Sequence, residues 1–386
     1  MFRENLKKIK QEGLYRSLIC QIPEGGPVIN IDGKPCLSFC SNNYLGLSHH
    51  PSIIKAGQNS LEKFGSGSGA SRLLSGTFPP HQELEMEIAR FKKTEAALSF
   101  GSGYLANLAL LTTLVDRGDL ILADRLNHAS LMDGCKLSRA TFKIFRHKDM
   151  DHLKHLLSKK PSDQKTLIVT EGVFSMDGDL APLPEIVTLA KEYHAKVMVD
   201  DAHGFATLGD HGRGTAEHFG VENQIDVQMG TFGKAAGVYG AFVAGPKSLI
   251  DYLINKAKSF IFTTALPPAL PSMCIASLKI ISQNPKLRET LRENQAYFTT
   301  RLAQIGFPVQ KNPAPIIPIL IGDVFKTLDF SKALYDAGLF IPAIRPPTVP
   351  EGMSRLRISL SASHTPEHLD TCIKQLEICG KSLGIL

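Results

Sequence analysis

The sequence predicts an α/β protein: a mainly parallel central sheet with helices on both faces, plus a smaller C-terminal α/β domain. Three observations carry this. Between about residues 95 and 245, short apolar runs alternate with helical patterns, the order of parallel strands joined by crossover helices. The 386 residues exceed the roughly 250–300 at which a single core stops growing, so a second domain is expected. From residue 315 the order strand, helix, strand, helix recurs on a smaller scale. The expected division is an N-terminal helix with short strands over 1–44, a large domain over 45–285 and a small domain over 286–386.

Composition narrows the function. The net charge of +6 is modest and spread along the chain, which suits solubility or anionic ligands. No polybasic run with interleaved aromatics appears, so a nucleic-acid partner is not expected. Seven cysteines, an odd number with no CxxC pair, point to reduced thiols and a cytoplasmic protein. The N-terminus MFRENLKKIKQEGLYR lacks the apolar centre of a secretory signal. No apolar run reaches the roughly 18 residues of a membrane span, and no metal site is expected.

Taken in order, residues 2–19 suit an amphipathic helix with Leu6, Ile9, Leu14 and Leu18 on mixed helical spacing. Two short strands flank an Asp32-Gly33 turn, and Ser41 to Leu47 form a polar turn carrying Asn42. A helix over 52–63 leads to the small-residue stretch 65–77. That stretch follows a helix, not a strand, so it is no dinucleotide-binding turn but a loop lying close to a ligand or a second chain. A Glu-rich helix from Phe78 to Phe91 follows. A strand ends at Phe100, and Gly101-Ser102-Gly103 turns into a helix near Tyr104. Backbone N–H groups at such a start suit a phosphate, although tight packing explains the glycines equally.

The next strand, Leu120 to Ala123, runs into His128, at the carboxyl end where ligands of open sheets collect. Strand 167–170 leads through Glu171 to Ser175 and on to a helix with Pro184 in its first turn. Strand 196–199 ends in Asp200-Asp201-Ala202-His203. Carboxylates at the tip of a buried strand are costly unless paired, and Asp200 with His203 could reach two atoms of one flat ring.

Residues 223–246 read as two strands with a small-residue crossing at Thr231-Phe232-Gly233-Lys234. Lys234 is the only charge between Asp226 and Lys247. It is either a lysine snorkelling from a loop or an amine made nucleophilic by desolvation, fit for a Schiff base with pyridoxal phosphate. Thr263 and Thr264 precede a proline pair. One long helix is expected from about 268 to 305. Four prolines between Pro342 and Pro350 make a rigid segment that holds Arg345, whose fork suits a carboxylate. Lys234, Asp200, Ser175, His128 and the Gly101–Gly103 turn all fall where strands give way to loops.

Together these residues resemble the α-oxoamine synthases, fold-type I pyridoxal-phosphate transferases, over essentially the whole chain. The carrying motifs are Ser41 to Leu47, Asp124 to Ser130, Thr170 to Gly178, Val199 to Gly204 and Thr231 to Lys234. Segments 343–350 and 354–357 are similar to members that condense L-alanine with pimeloyl-CoA or a pimeloyl carrier protein, on the route to biotin. The resemblance implies a cofactor, pyridoxal 5'-phosphate, joined to Lys234. Asp200 would face the ring nitrogen, His203 and Ser175 the ring hydroxyl, and His128 the ring face. Gly103, Tyr104 and Thr231 would hold the phosphate. It implies a homodimer in which Thr264 or Thr263 reaches the neighbour's phosphate. Asn42 and Arg345 would receive the amino-acid carboxylate, and Arg16 the acyl chain or its thioester. Two departures touch the acyl side: Ala-Ala-Gly-Val-Tyr follows Lys234, and Tyr15 stands where a second arginine is common. The competing expectations are a relative using glycine or serine, or a non-catalytic subunit of the same fold. The set Lys234, Asp200, His203 and His128 speaks against the latter.

Overall fold

The computed structural model describes residues 2–310 and 312–386 and divides into two compact units. The larger comprises Leu47–Ser175 and Asp179–Arg288. The smaller gathers Met1–Gly46, Met176–Gly178 and Glu289–Leu386, so the N-terminal residues cluster with the C-terminal ones.

The larger unit is built on seven strands: β1 (Ala96–Phe100), β2 (Leu120–Asp124), β3 (Thr141–Phe145), β4 (Thr166–Glu171), β5 (Lys196–Asp200), β6 (Val227–Thr231) and β7 (Ala241–Gly245). Their order across the sheet is β1-β7-β6-β5-β4-β2-β3. Every pairing from β6 to β3 is parallel; β7 runs antiparallel to both β6 and β1. The β6–β7 pair is the crossing expected around Lys234. Gly237, at φ +68°, lies in the loop between them, where a Cβ would come within 2.5 Å of the Ser48 nitrogen.

Alternation along the strands divides the core in two. Ile121, Ala123, Val169 and Met198 join one buried cluster with Leu110 and Leu131 of the neighbouring helices. Leu120, Leu122, Ile168, Val197 and Val199 join another with Leu153, Leu183 and Ile186. A strand buried on both faces reads as a continuous apolar run, which is why β2, β4 and β5 were legible. β3 was not expected. It is an edge strand with one neighbour, and Lys143 interrupts its apolar pattern.

The smaller unit holds a four-stranded sheet, in which Val28–Ile31 and Lys34–Ser38 form a hairpin, and a three-stranded sheet centred on Ser354–Ser359. Asp32 and Gly33 both take positive φ, 51° and 82°, as a two-residue hairpin turn requires. Two expectations are corrected. The first helix stops at Gln11, and Gly13 takes φ +67° just beyond. The long helix expected over 268–305 is two, Ala269–Gln283 and Lys286–Gln304. Pro285 lacks the N–H that would continue the first helix and disfavours helical geometry at Asn284.

The sheet's two-sided burial makes a stability prediction. Ile121, fully buried on β2, should cost about 2–5 kcal/mol when replaced in Ile121→Ala, read as a lower urea midpoint with an unchanged m-value.

Candidate active site

The carboxyl ends of β2, β4, β5 and β6, with the turn after β1, bring a set of polar side chains around one cavity of about 190 Å³ in the larger unit. Ser102 caps the helix Gly103–Thr113, its side chain accepting from Leu105 N at 3.3 Å. The next two residues, Gly103 and Tyr104, line the cavity and begin the helix, where backbone N–H groups have no intrahelical acceptor. After β2, His128 caps the helix Ala129–Leu137. Its Nδ1 accepts from Ser130 N at 3.2 Å and lies 2.8 Å from Ser130 Oγ.

Asp200, the last residue of β5, is 5% exposed. Its Oδ1 accepts from Ala202 N at 3.0 Å and its Oδ2 from Asn107 Nδ2 at 2.7 Å. Three residues on, His203 places Nε2 2.7 Å from Lys234 Nζ. Thr231, at the end of β6, donates to Gly240 O at 2.8 Å and accepts from Gly233 N at 3.1 Å, which holds the loop leading to Lys234. Gly103, Tyr104, His128, Asp200, His203, Thr231 and Lys234 thus share one cavity.

Three polar side chains of the cavity were not anticipated as site residues, Glu171, Asn107 and Ser130. Glu171 ends β4, and its Oε1 is buried without a hydrogen-bond partner. Burial, then the charge of Asp200, raise its pKa well above the ordinary carboxylate range, against the pull of Lys234 and of the His128 and Ser175 backbone amides. The amide of Ser175 therefore serves Glu171, and the residue does not line the cavity. A glutamate closing an apolar strand is a signal that sequence reading could have used. Asn107 sits inside a helix and offers no such signal.

The remaining expected residues lie elsewhere. Thr264 is exposed and pairs in an isolated bridge with Ser71, while Thr263 is half-buried; neither lines the cavity. In the smaller unit, the Arg345 guanidinium donates to the carbonyls of Gly13 and Tyr15. Arg16 donates to the carbonyls of Arg345 and Pro346. Both arginines brace the N-terminal segment against the proline-rich one. Asn42 is engaged by a different arginine: Arg357, 7% exposed, donates to Asn42 Oδ1 at 3.1 and 3.2 Å and to Tyr44 Oη at 3.1 Å. Arg355 and Arg357, two apart in a buried strand, were the sequence signal for it.

The chain matches the aminotransferase class I and II family over residues 34–376. It belongs to that family, in its α-oxoamine synthase branch. Among its relatives, an 8-amino-7-oxononanoate synthase of Citrifermentans bemidjiense is 48% identical, the alignment covering 100% of this chain and 99% of the relative. One from Geobacter sulfurreducens is 46% identical over 99% and 98% of the two chains. Among solved structures, a serine palmitoyltransferase from S. paucimobilis with a bound PLP–myriocin aldimine superposes with a TM-score of 0.95 at 34% identity, covering 100% of this chain and 98% of that one. An 8-amino-7-oxononanoate synthase from Francisella tularensis gives 0.79 at 30% identity, covering 91% and 98%.

One polar cluster at this sheet edge sets a pH dependence. His147 lies 2.9 Å from Asp124 Oδ1 and 3.0 Å from Asp179 Oδ2. Burial opposes its charge, but the hydrogen bonds and charges of the two carboxylates prevail and raise its pKa to about 9. A raised pKa stabilises the fold fully below the unfolded value of about 6.5, and that contribution fades as pH rises through the folded value. The urea midpoint should therefore fall between about pH 6.5 and about pH 9, and His147→Gln should remove that part of the slope.

Proposed function

We propose that this chain binds pyridoxal phosphate in the cavity and condenses L-alanine with a pimeloyl thioester, of CoA or a carrier protein. The products are 8-amino-7-oxononanoate, carbon dioxide and the free thiol, a step in making biotin. The observation that carries the cofactor reading is the meeting of Lys234, His203 and Asp200 at one cavity that also holds a helix start. The fit is chemical. A buried carboxylate accepts from two neutral amides, an amine faces an imidazole, and backbone amides at 103–104 suit a phosphate. When bound, pyridoxal phosphate supplies an aldehyde that amines join and a ring that takes up the electron pair released at an amino acid's α-carbon.

The chain's own residues do the rest. Asp200 would keep a proton on the ring nitrogen of the bound cofactor. Lys234 would supply the amine that holds the cofactor and would serve as the base for the α-proton of alanine. His203, 2.7 Å from Lys234 Nζ, gives that amine a partner for shedding its own proton. Gly103, Tyr104 and Thr231, which line the cavity, would hold the phosphate, and Ser175 lies in the loop following Glu171. In the smaller unit, Arg357 with Asn42 is our candidate for the amino-acid carboxylate, because the Arg345 guanidinium is committed to backbone carbonyls. Arg345 and Arg16 then shape the acyl side by holding the proline-rich segment.

A homodimer is part of this reading, with Thr264 or Thr263 serving a neighbour's phosphate. So is a cytoplasmic location, in keeping with seven unpaired cysteines. No helix among the described residues is long and apolar enough to cross a membrane.

The choice of L-alanine rests on relatives at 45–48% identity, against 34% for the serine palmitoyltransferase. Mass analysis of products from L-alanine, glycine and L-serine with a panel of acyl-CoAs tests it. The nine-carbon amino ketone from L-alanine and pimeloyl-CoA is expected; a long-chain ketone from L-serine sinks the assignment. Lys234→Ala should abolish turnover and leave no lysine trapped by borohydride. Arg357→Lys should raise the KM for L-alanine about tenfold or more, through loss of the two-pronged contact, and Arg345→Lys should move the acyl-donor KM instead.

A further inference from the structure

A buried hydrogen-bond chain runs from Asp200 to His128. Asn107, fully buried on the helix Gly103–Thr113, donates from Nδ2 to Asp200 Oδ2 at 2.7 Å and to Ser130 Oγ at 2.9 Å. Ser130, 1% exposed, approaches His128 Nδ1 twice: its hydroxyl at 2.8 Å and its backbone N–H at 3.2 Å.

The directions of these bonds follow from the carboxylate. A carboxylate has no hydrogen to donate, so the Asn107 atom facing Asp200 is the nitrogen; the amide oxygen there would set two acceptors against each other. The amide nitrogen carries two hydrogens, and both have acceptors, Asp200 and Ser130. Ser130 Oγ therefore receives from Asn107; because the Ser130 backbone N–H donates to His128 Nδ1, a lone pair stands there, and the hydroxyl turns its own hydrogen to it. A hydroxyl and a backbone amide both donating to Nδ1 require a lone pair there. The neutral imidazole then carries its proton on Nε2.

We propose that Asn107 and Ser130 are positioning residues that fix His128 as the Nε2–H tautomer, so that His128 acts in this cavity as a hydrogen-bond donor and not as a base. The role rests on the condensation reading; the tautomer does not. Protonating the ring would put a hydrogen on Nδ1 against the Ser130 backbone N–H, a donor that cannot turn away as a hydroxyl can. Burial lowers the His128 pKa, Lys234 lowers it further, and Asp200 and Asp133 pull the other way. Proton removal from carbon is thereby left to Lys234. His128 has one polar hydrogen to offer, suited to an oxygen that becomes negative during acyl transfer. The arrangement also ties two cofactor contacts together: Asn107 orients Asp200 with one hydrogen and, through Ser130, His128 with the other.

The experiment is long-range proton–nitrogen NMR on the full chain labelled with nitrogen-15 histidine, with and without pyridoxal phosphate. His128→Gln identifies the signals among the thirteen histidines. The expected result at neutral pH is hydrogen on Nε2 and a lone pair on Nδ1. In Asn107→Leu or Ser130→Ala, part of the population should shift to the Nδ1–H tautomer, and Ser130→Thr should restore the single form. An Nδ1–H or doubly protonated ring in the unaltered chain overturns the proposal. So does a tautomer unchanged in both Asn107→Leu and Ser130→Ala. The spectra require no turnover, so a chain with the expected tautomer that makes no amino ketone would sink the function and leave this inference standing.

Discussion

The constraint on which this structure turns is a negative charge at the buried end of β5. Asp200 is 5% exposed, and a carboxylate in such surroundings is costly unless donors surround it. The protein answers with the Ala202 amide on one oxygen and Asn107 on the other. Those donors come from different parts of the chain, the loop after β5 and the helix Gly103–Thr113. Satisfying one carboxylate therefore fixes the position of a helix relative to the sheet. That helix start supplies the amides at Gly103 and Tyr104, so the acid at one side of the cavity and the anion site at another are set by the same packing.

A second carboxylate, Glu171, shows how the same burial gives a different outcome. Asp200 accepts from Asn107 and from the Ala202 amide, whereas Glu171 has an Oε1 with no hydrogen-bond partner and a pKa pushed up by burial and by Asp200. Two buried acids near one amine cannot both be charged at low cost. The environment gives Asp200 hydrogen-bond donors and makes Glu171 hold its proton more tightly. Lys234 and His203 sit beside this pair in the same cavity, so proton movement there involves short distances and few groups.

The smaller unit distributes its arginines by the same logic. Arg345 and Arg16 donate to backbone carbonyls and tie the N-terminal segment to the proline-rich one. Arg357, on a fully buried strand, meets Asn42 and Tyr44. A guanidinium whose donors are spent on backbone carbonyls serves as a brace. Proline density around Arg345 spoke for rigidity; the identity of its partners was a separate question.

The sequence by itself determined the sheet and the edge where chemistry gathers. Strands buried on both faces must be continuously apolar, so β2, β4 and β5 announce themselves, and polar residues just after them are conspicuous because burial penalises them. Lys234, Asp200, His203 and His128 were legible for that reason. Tertiary structure alone decided the rest: that β7 runs antiparallel, that β3 pairs at an edge, that Pro285 parts two helices, and which arginine meets Asn42. It also chose Asn107, an ordinary-looking helix residue, to bridge Asp200 and Ser130. Periodicity and local preference act along the chain, whereas a hydrogen bond between residues 107 and 200 depends on two elements packing at a given distance and angle, which no local pattern encodes.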